Sequence, residues 1–161
     1  MTWLLGGIPM HPLFVHAAVV LIPIVALLAI AAAWNTRTRD WLGIAFPIIA
    51  SLTLVAAAFT SASGEALATQ VEQTAAVTAH TSIADLAVAA GFLLFLISWV
   101  QWVWIHNYTT VRPGHTQARV TNPQTIRRWT TVISIVQTVI AVFALVAIVI
   151  VGDTGARAVW Q

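Results

Sequence analysis

Four stretches of the chain are almost purely apolar, and short polar segments separate them. They run from about Pro12 to Trp34, Trp41 to Ala62, Ser82 to His106 and Trp129 to Val151. Each supplies the roughly 20 apolar residues that cross a hydrocarbon core of about 30 Å. Inside lipid, a helix is the only open-chain solution, because each backbone group must find its partner within its own segment. The pattern therefore predicts an all-α integral membrane protein, a four-helix transmembrane bundle running up-down-up-down. The link after span two, "SGEALATQVEQTAAVTAHTS", carries Leu67, Val71 and Thr74 or Ala75 at helical spacing. That spacing predicts a short outer-face helix between spans two and three. No internal repeat stands out and no linker marks a second domain, so residues 1–161 read as a single four-span membrane domain.

Charge gives the spans a direction. The links "NTRTRD" and "YTTVRPGHTQARVTNPQTIRR" hold six of the seven arginines, Arg37, Arg39, Arg112, Arg119, Arg127 and Arg128. The opposite ends hold Glu65, Glu72, Asp85 and Asp153 with only Arg157. The positive-inside rule places the arginine links in the cytoplasm and both termini outside, as in a multi-pass protein of a bacterial plasma membrane. Trp34, Trp41, Trp102, Trp104 and Trp129 gather at the cytoplasmic ends, with Trp3 and Trp160 near the outer ends. They read as an aromatic belt whose indole N–H groups reach the headgroups. The segment "MTWLLGG" has no basic residue before the apolar run and does not read as a secretory signal.

Composition agrees and removes several chemistries. Hydrophobic residues make up 60% of the chain and charged residues 7%, against about 25% charged in soluble domains. There is no cysteine, so thiolate metal sites, disulfides and cysteine nucleophiles are excluded. No basic patch interleaves with aromatics, so nucleic acid is not an expected partner.

Topology gathers the ionisable groups at the outer end. His11 and His16 open span one, Gly64 and Glu65 close span two, His80 and Asp85 open span three, and Asp153 closes span four. Pro12 favours the first helical position and restrains the residue before it. His11 is therefore expected in the cap or loop, with His16 one turn inside and facing inward. Ser82-Ile83-Ala84-Asp85 reads as a capping box. Ala84, Ala87 and Gly91 form a small-residue face that allows close approach of a helix or a flat cofactor. His16 and His80 are the first candidates for a metal or haem, with His11 beside them. Glu65, Glu72, Asp85 and Asp153 are candidates for further ligands, or for holding the second ring N–H. Imidazole and carboxylate without thiolate suits zinc, iron or copper, and two facing histidines suit a b-type haem. Histidines that only cap helices or join them, with no cofactor, account for the same residues, as does a proton relay. In the cytoplasmic half, Ser98 and Gln101 on span three can meet Ser134 and Gln137 on span four. They read as interhelical hydrogen bonding or as a polar seat for a quinone head. His106 and His115 carry no ligand role.

The entry "HPLFVH", with His11, Pro12 and His16, is followed by Pro23, Gly64 and His80. With these residues the chain resembles the small bacterial membrane proteins of the domain of unknown function 2231. The ending "VGDTGARAVW" is similar to actinobacterial members, which often carry histidine where Asp153 stands here. The resemblance covers nearly the whole chain. It implies no settled activity, but relatives fused to Rieske-type or c-type cytochrome domains imply work in respiratory electron transfer. The expected protein is a small inner-membrane electron-transfer or redox-support protein with one b-type haem or metal ion. The competing class is a non-catalytic accessory subunit of a larger respiratory membrane complex. No nucleophile set or activating motif suggests an independent enzyme.

Overall fold

The computed structural model describes residues 4–5, 8–109 and 122–160, with side chains at 10–109 and 122–158. His115 and most of the second arginine link lie outside the described residues. Four helical segments are long and apolar enough to cross a membrane: His11–Trp34, Ala45–Ala68, Ala75–Thr109 and Pro123–Ala158.

The first element is a two-residue ladder, in which β1 (Leu4–Leu5) pairs antiparallel with β2 (Ile8–Pro9). Helix α1 (His11–Trp34) begins with Pro12 in its first turn and continues through Pro23. The short α2 (Thr36–Leu42) is capped by Asn35, whose side chain accepts from the Thr38 N–H. Gly43, at φ +47°, then turns the chain into α3 (Ala45–Ala68). Trp41 thus belongs to α2, and span two starts a turn later than the hydropathy pattern predicts. The short helix predicted after span two is present but displaced. Val71 and Glu72 lie in the non-helical link, and α4 (Ala75–Ile83) starts where the Thr74 hydroxyl accepts from the Val77 N–H. An N-cap of this kind satisfies a donor that the first helical turn leaves open. Helix α5 (Asp85–Trp104) follows after Ala84 and ends in a π-helical turn, Ile105–Thr109. Ser82 donates to the Ala79 carbonyl instead of forming a capping box. Helix α6 (Pro123–Trp160) has 38 residues, about 57 Å at 1.5 Å per residue, so it extends beyond the hydrocarbon layer.

The four long helices pack as a square, with α1 against α3 and α6, and α5 against α3 and α6. The core consists mostly of small side chains, among them Ala18, Ala29, Ala50, Ala90, Ala141 and Ala144, all at most 1% exposed. Small residues let helix backbones approach closely, which is how helices associate in lipid without a hydrophobic driving force. Gly91 shows the limit: a Cβ there would sit 3.4 Å from the Leu54 Cα on α3. The expected close-approach face on span three is therefore used against α3. Outward-facing residues such as Leu27, Leu52, Val139 and Val149 are 58–69% exposed. An apolar exterior of this kind matches hydrocarbon.

At the arginine end, three indoles differ from the simple belt. Trp34 Nε1 donates to Thr138 Oγ1 (2.9 Å), Trp104 Nε1 to Thr130 Oγ1 (3.0 Å) and Trp99 Nε1 to Ser51 Oγ (3.2 Å). Their N–H groups tie helices together, leaving the rings for the interface. Deeper in this end lies a polar layer. Ser134 Oγ donates to the Ala33 carbonyl (2.7 Å), and Gln101 Nε2 to the Ala32 carbonyl (3.3 Å). Gln137 Nε2 donates to the Ala29 carbonyl (2.7 Å) and to Gln101 Oε1 (3.3 Å). The last carbonyls of a helix have no intrahelical donor. Here α5 and α6 supply donors to Ala32 and Ala33 at the end of α1, and a second donor to Ala29 one turn earlier, inside a fully buried layer. Ser134→Ala is accordingly expected to destabilise the bundle by about 1 kcal/mol, within the range for interhelical hydrogen bonds in lipid. Reversible unfolding in mixed micelles measures it.

Candidate functional site

The helix directions return His11 on α1, Ser63 and Gly64 on α3, His80 on α4, and Thr154 and Gly155 on α6 to one end of the bundle. His11 is half-buried at the start of α1, and its ring reaches α3. Its Nδ1 lies 3.1 Å from the Thr60 carbonyl and 3.2 Å from Ser63 Oγ. A carbonyl only accepts, so Nδ1 carries the hydrogen. The Ser63 hydroxyl donates its own hydrogen to the same Thr60 carbonyl (3.1 Å) and can accept from the ring. The ring lies over Gly64, where a Cβ would come within 2.8 Å of His11 Cε1.

His80 repeats this arrangement on α6. Its Nδ1 lies 3.2 Å from Thr154 Oγ1. The single Thr154 hydroxyl hydrogen goes to the Ile150 or the Val151 carbonyl (3.0 and 3.1 Å), as in helical threonines, which leaves its oxygen to accept from the ring Nδ1–H. The ring lies over Gly155, where a Cβ would stand 3.1 Å from His80 Cε1. Both imidazoles, assigned from the hydrogen-bond network, thus have Nδ1 protonated and a lone pair on Nε2. A second-shell acceptor that fixes the tautomer is what a metal-binding histidine uses.

His16 is placed differently. It is exposed, and its Nδ1–H donates to the Pro12 carbonyl of its own helix (2.6 Å). The inward histidine of "HPLFVH" is His11, which sits inside the helix and not in the cap. The reason is register: His11 is seven residues, two turns, from the buried Ala18, whereas His16 is two residues from it and faces away. The carboxylates are not on the rings. Glu65 and Glu72 are exposed, Asp85 accepts from Ser61 Oγ (3.4 Å), and Asp153 pairs with Arg157 (2.9 Å). Hydroxyls and a backbone carbonyl hold the ring N–H groups instead. Among the described residues no three His, Cys, Asp or Glu side chains converge as a metal cage. One turn below His11, Phe14 stacks on Phe59 of α3 with ring centroids 5.3 Å apart.

The sequence analysis missed Ser63-Gly64 and Thr154-Gly155 as a recurring element. The signal was present as two hydroxyl–glycine dipeptides, each closing a span opposite a histidine.

Fold and site define a four-span helical membrane protein with a histidine pair at one end. The family model described as "Predicted membrane protein (DUF2231)" matches residues 7–161. The chain belongs to this family of membrane proteins. No curated protein and no solved structure matches it.

Proposed function

We propose that the protein holds a b-type haem through His11 and His80 and supports electron transfer at the outer face of a bacterial plasma membrane. The observation that carries this proposal is the pair of imidazoles with Nδ1–H fixed and Nε2 lone pairs available. Haem iron takes four ligands from its macrocycle and asks the protein for two. Zinc asks for three or four, and the exposed carboxylates stand apart from the rings. The donor set therefore fits haem better than a bare divalent ion. His11 and His80 would bind through Nε2, while Thr60, Ser63 and Thr154 orient the rings and raise their basicity. Bound there, the group would supply one-electron chemistry. Arg37, Arg39, Arg127 and Arg128 sit at the other end, which supports an outward-facing site. A separate redox protein in the membrane or outside it would be the partner.

The test is an absorption spectrum of the protein purified in mild detergent and supplied with haem, oxidised and reduced. An intense Soret band that shifts on reduction, at one haem per chain, is the expected result. A folded protein with no such band overturns the haem assignment, and elemental analysis of the same sample then tests zinc, iron and copper. If both are negative, the accessory-subunit function replaces this one.

A further inference from the structure

The square of helices is two hairpins in register. Helices α1 and α3 form one, and α4–α5 with α6 the other; each starts and ends at the histidine end. Shifting the first helix by the 69 positions that separate His11 from His80 superposes buried residues on buried residues: Ala18 on Ala87, Val25 on Leu94, Ala32 on Gln101. Shifting the second by the 91 positions between Gly64 and Gly155 does the same: Ala50 on Ala141, Thr53 on Ala144, Ala57 on Ile148. The exposed His16 falls on the exposed Asp85. The packing has the same symmetry, because each helix touches its hairpin partner and one helix of the other hairpin, and the one diagonal contact of note is the weaker α1–α5. The repeat is hidden in the sequence because only His, hydroxyl, Gly and the burial pattern are shared.

We infer that the histidine end is one site made of two equivalent half-sites about a pseudo-two-fold axis along the bundle. Each half is an imidazole seated on a hydroxyl–glycine pair of its own hairpin: His11 on Ser63–Gly64, His80 on Thr154–Gly155. Gly64 and Gly155 are positioning residues, as are Ser63 and Thr154, and a single metal centre would be held by the Nε2 atoms of both rings. The ligand rests on the function proposed above; the half-sites do not. The geometry explains why glycine stands at both seats. A methyl would come within 2.8 Å of the His11 Cε1, closer than side-chain carbons approach one another, and within 3.1 Å of the His80 Cε1, tighter than an ordinary van der Waals contact. It also explains the two hydroxyls, whose own hydrogens go to helix carbonyls and leave acceptors for the rings.

The test uses the full chain, labelled with 15N-histidine, in detergent without added ligand. Both rings are expected in the Nδ1-protonated neutral form. Gly64→Ala should shift the His11 ring signals by far more than those of His80, and Gly155→Ala the reverse, and Thr154→Val should release His80 into a mixture of tautomers. An Nε2-protonated ring at either position, or a glycine variant that leaves its own histidine unmoved, overturns the half-sites. Haem titration follows. Gly64→Ala and Gly155→Ala should each weaken binding by about tenfold or more, the range seen when an outer-shell partner is lost. Loss from one variant alone overturns the equivalence. Fixed tautomers in a protein that takes up no haem, zinc or copper would leave the half-sites standing and remove the proposed function.

Discussion

His11→Ala is expected to abolish the proposed haem binding, whereas His16→Ala leaves it intact. The two histidines share one short motif, so the contrast is a sharp one. The His11 ring leaves its own helix and hydrogen-bonds to α3 through Nδ1, which leaves Nε2 without a role in that contact. The His16 ring bonds back to the Pro12 carbonyl and stays exposed on the far side of α1. Losing one of two iron ligands should lower haem content at least about tenfold, since loss of an outer-shell partner alone costs that much. The ratio of Soret to protein absorbance, measured after identical haem loading, checks it. Equal loading of the two variants would show that the site is not where the structure puts it.

The second large effect concerns stability and has an internal control. In a helix, Gly→Ala normally stabilises by about 0.5–1 kcal/mol. Gly152→Ala on α6 should follow that rule, because nothing lies within 4 Å of its would-be Cβ. Gly64→Ala should reverse the sign. Its Cβ would meet the His11 ring at 2.8 Å, and the ring cannot retreat without giving up Thr60 and Ser63. Overpacking of this kind costs about 1–3 kcal/mol. Unfolding of both variants in the same micelles measures the difference. Two variants stabilised alike would mean that the His11 ring does not rest on Gly64.

The sequence showed the spans well, because lipid demands long apolar helices and the chain has four of them. It placed boundaries less well wherever a local cap competed with hydropathy. Asn35 and Gly43 cut α2 away from span two, and Thr74 started α4 later than the Leu67–Val71 spacing implied. The site was legible as a gathering of histidines at one end. It was misassigned within "HPLFVH", because the restraint of Pro12 on its neighbour was weighed and the register was not. Counting back from the stripe Ala18, Val25, Ala32 would have put His11, not His16, on the inner face. The acidic partners expected for the rings are exposed, with Asp153 held by Arg157. Two hydroxyls take their place, and such small neutral acceptors leave no mark in charge or hydropathy. The polar layer of Gln101, Ser134 and Gln137 was visible as pairs on facing spans. What they bond, the carbonyl end of α1, depends on packing that no pattern along the chain displays.

The middle of the bundle has a consequence of its own. His11 and the layer at Ala29 are 18 steps apart along α1, about 27 Å at 1.5 Å per residue. The buried residues of that stretch are Ala18, Ile22, Val25 and Ala26, with Leu94, Ala87 and Ala144 packed about them. The buried Thr53 of α3 bonds back to the Ile49 carbonyl of its own helix, and the hydrocarbon side chains around it offer neither a proton relay nor a stepping stone for an electron. Under the proposed function, an electron taken up at the histidine end would therefore have to leave from that same face. Such a protein would be a terminal in the plane of one leaflet, not a conduit from one side of the membrane to the other.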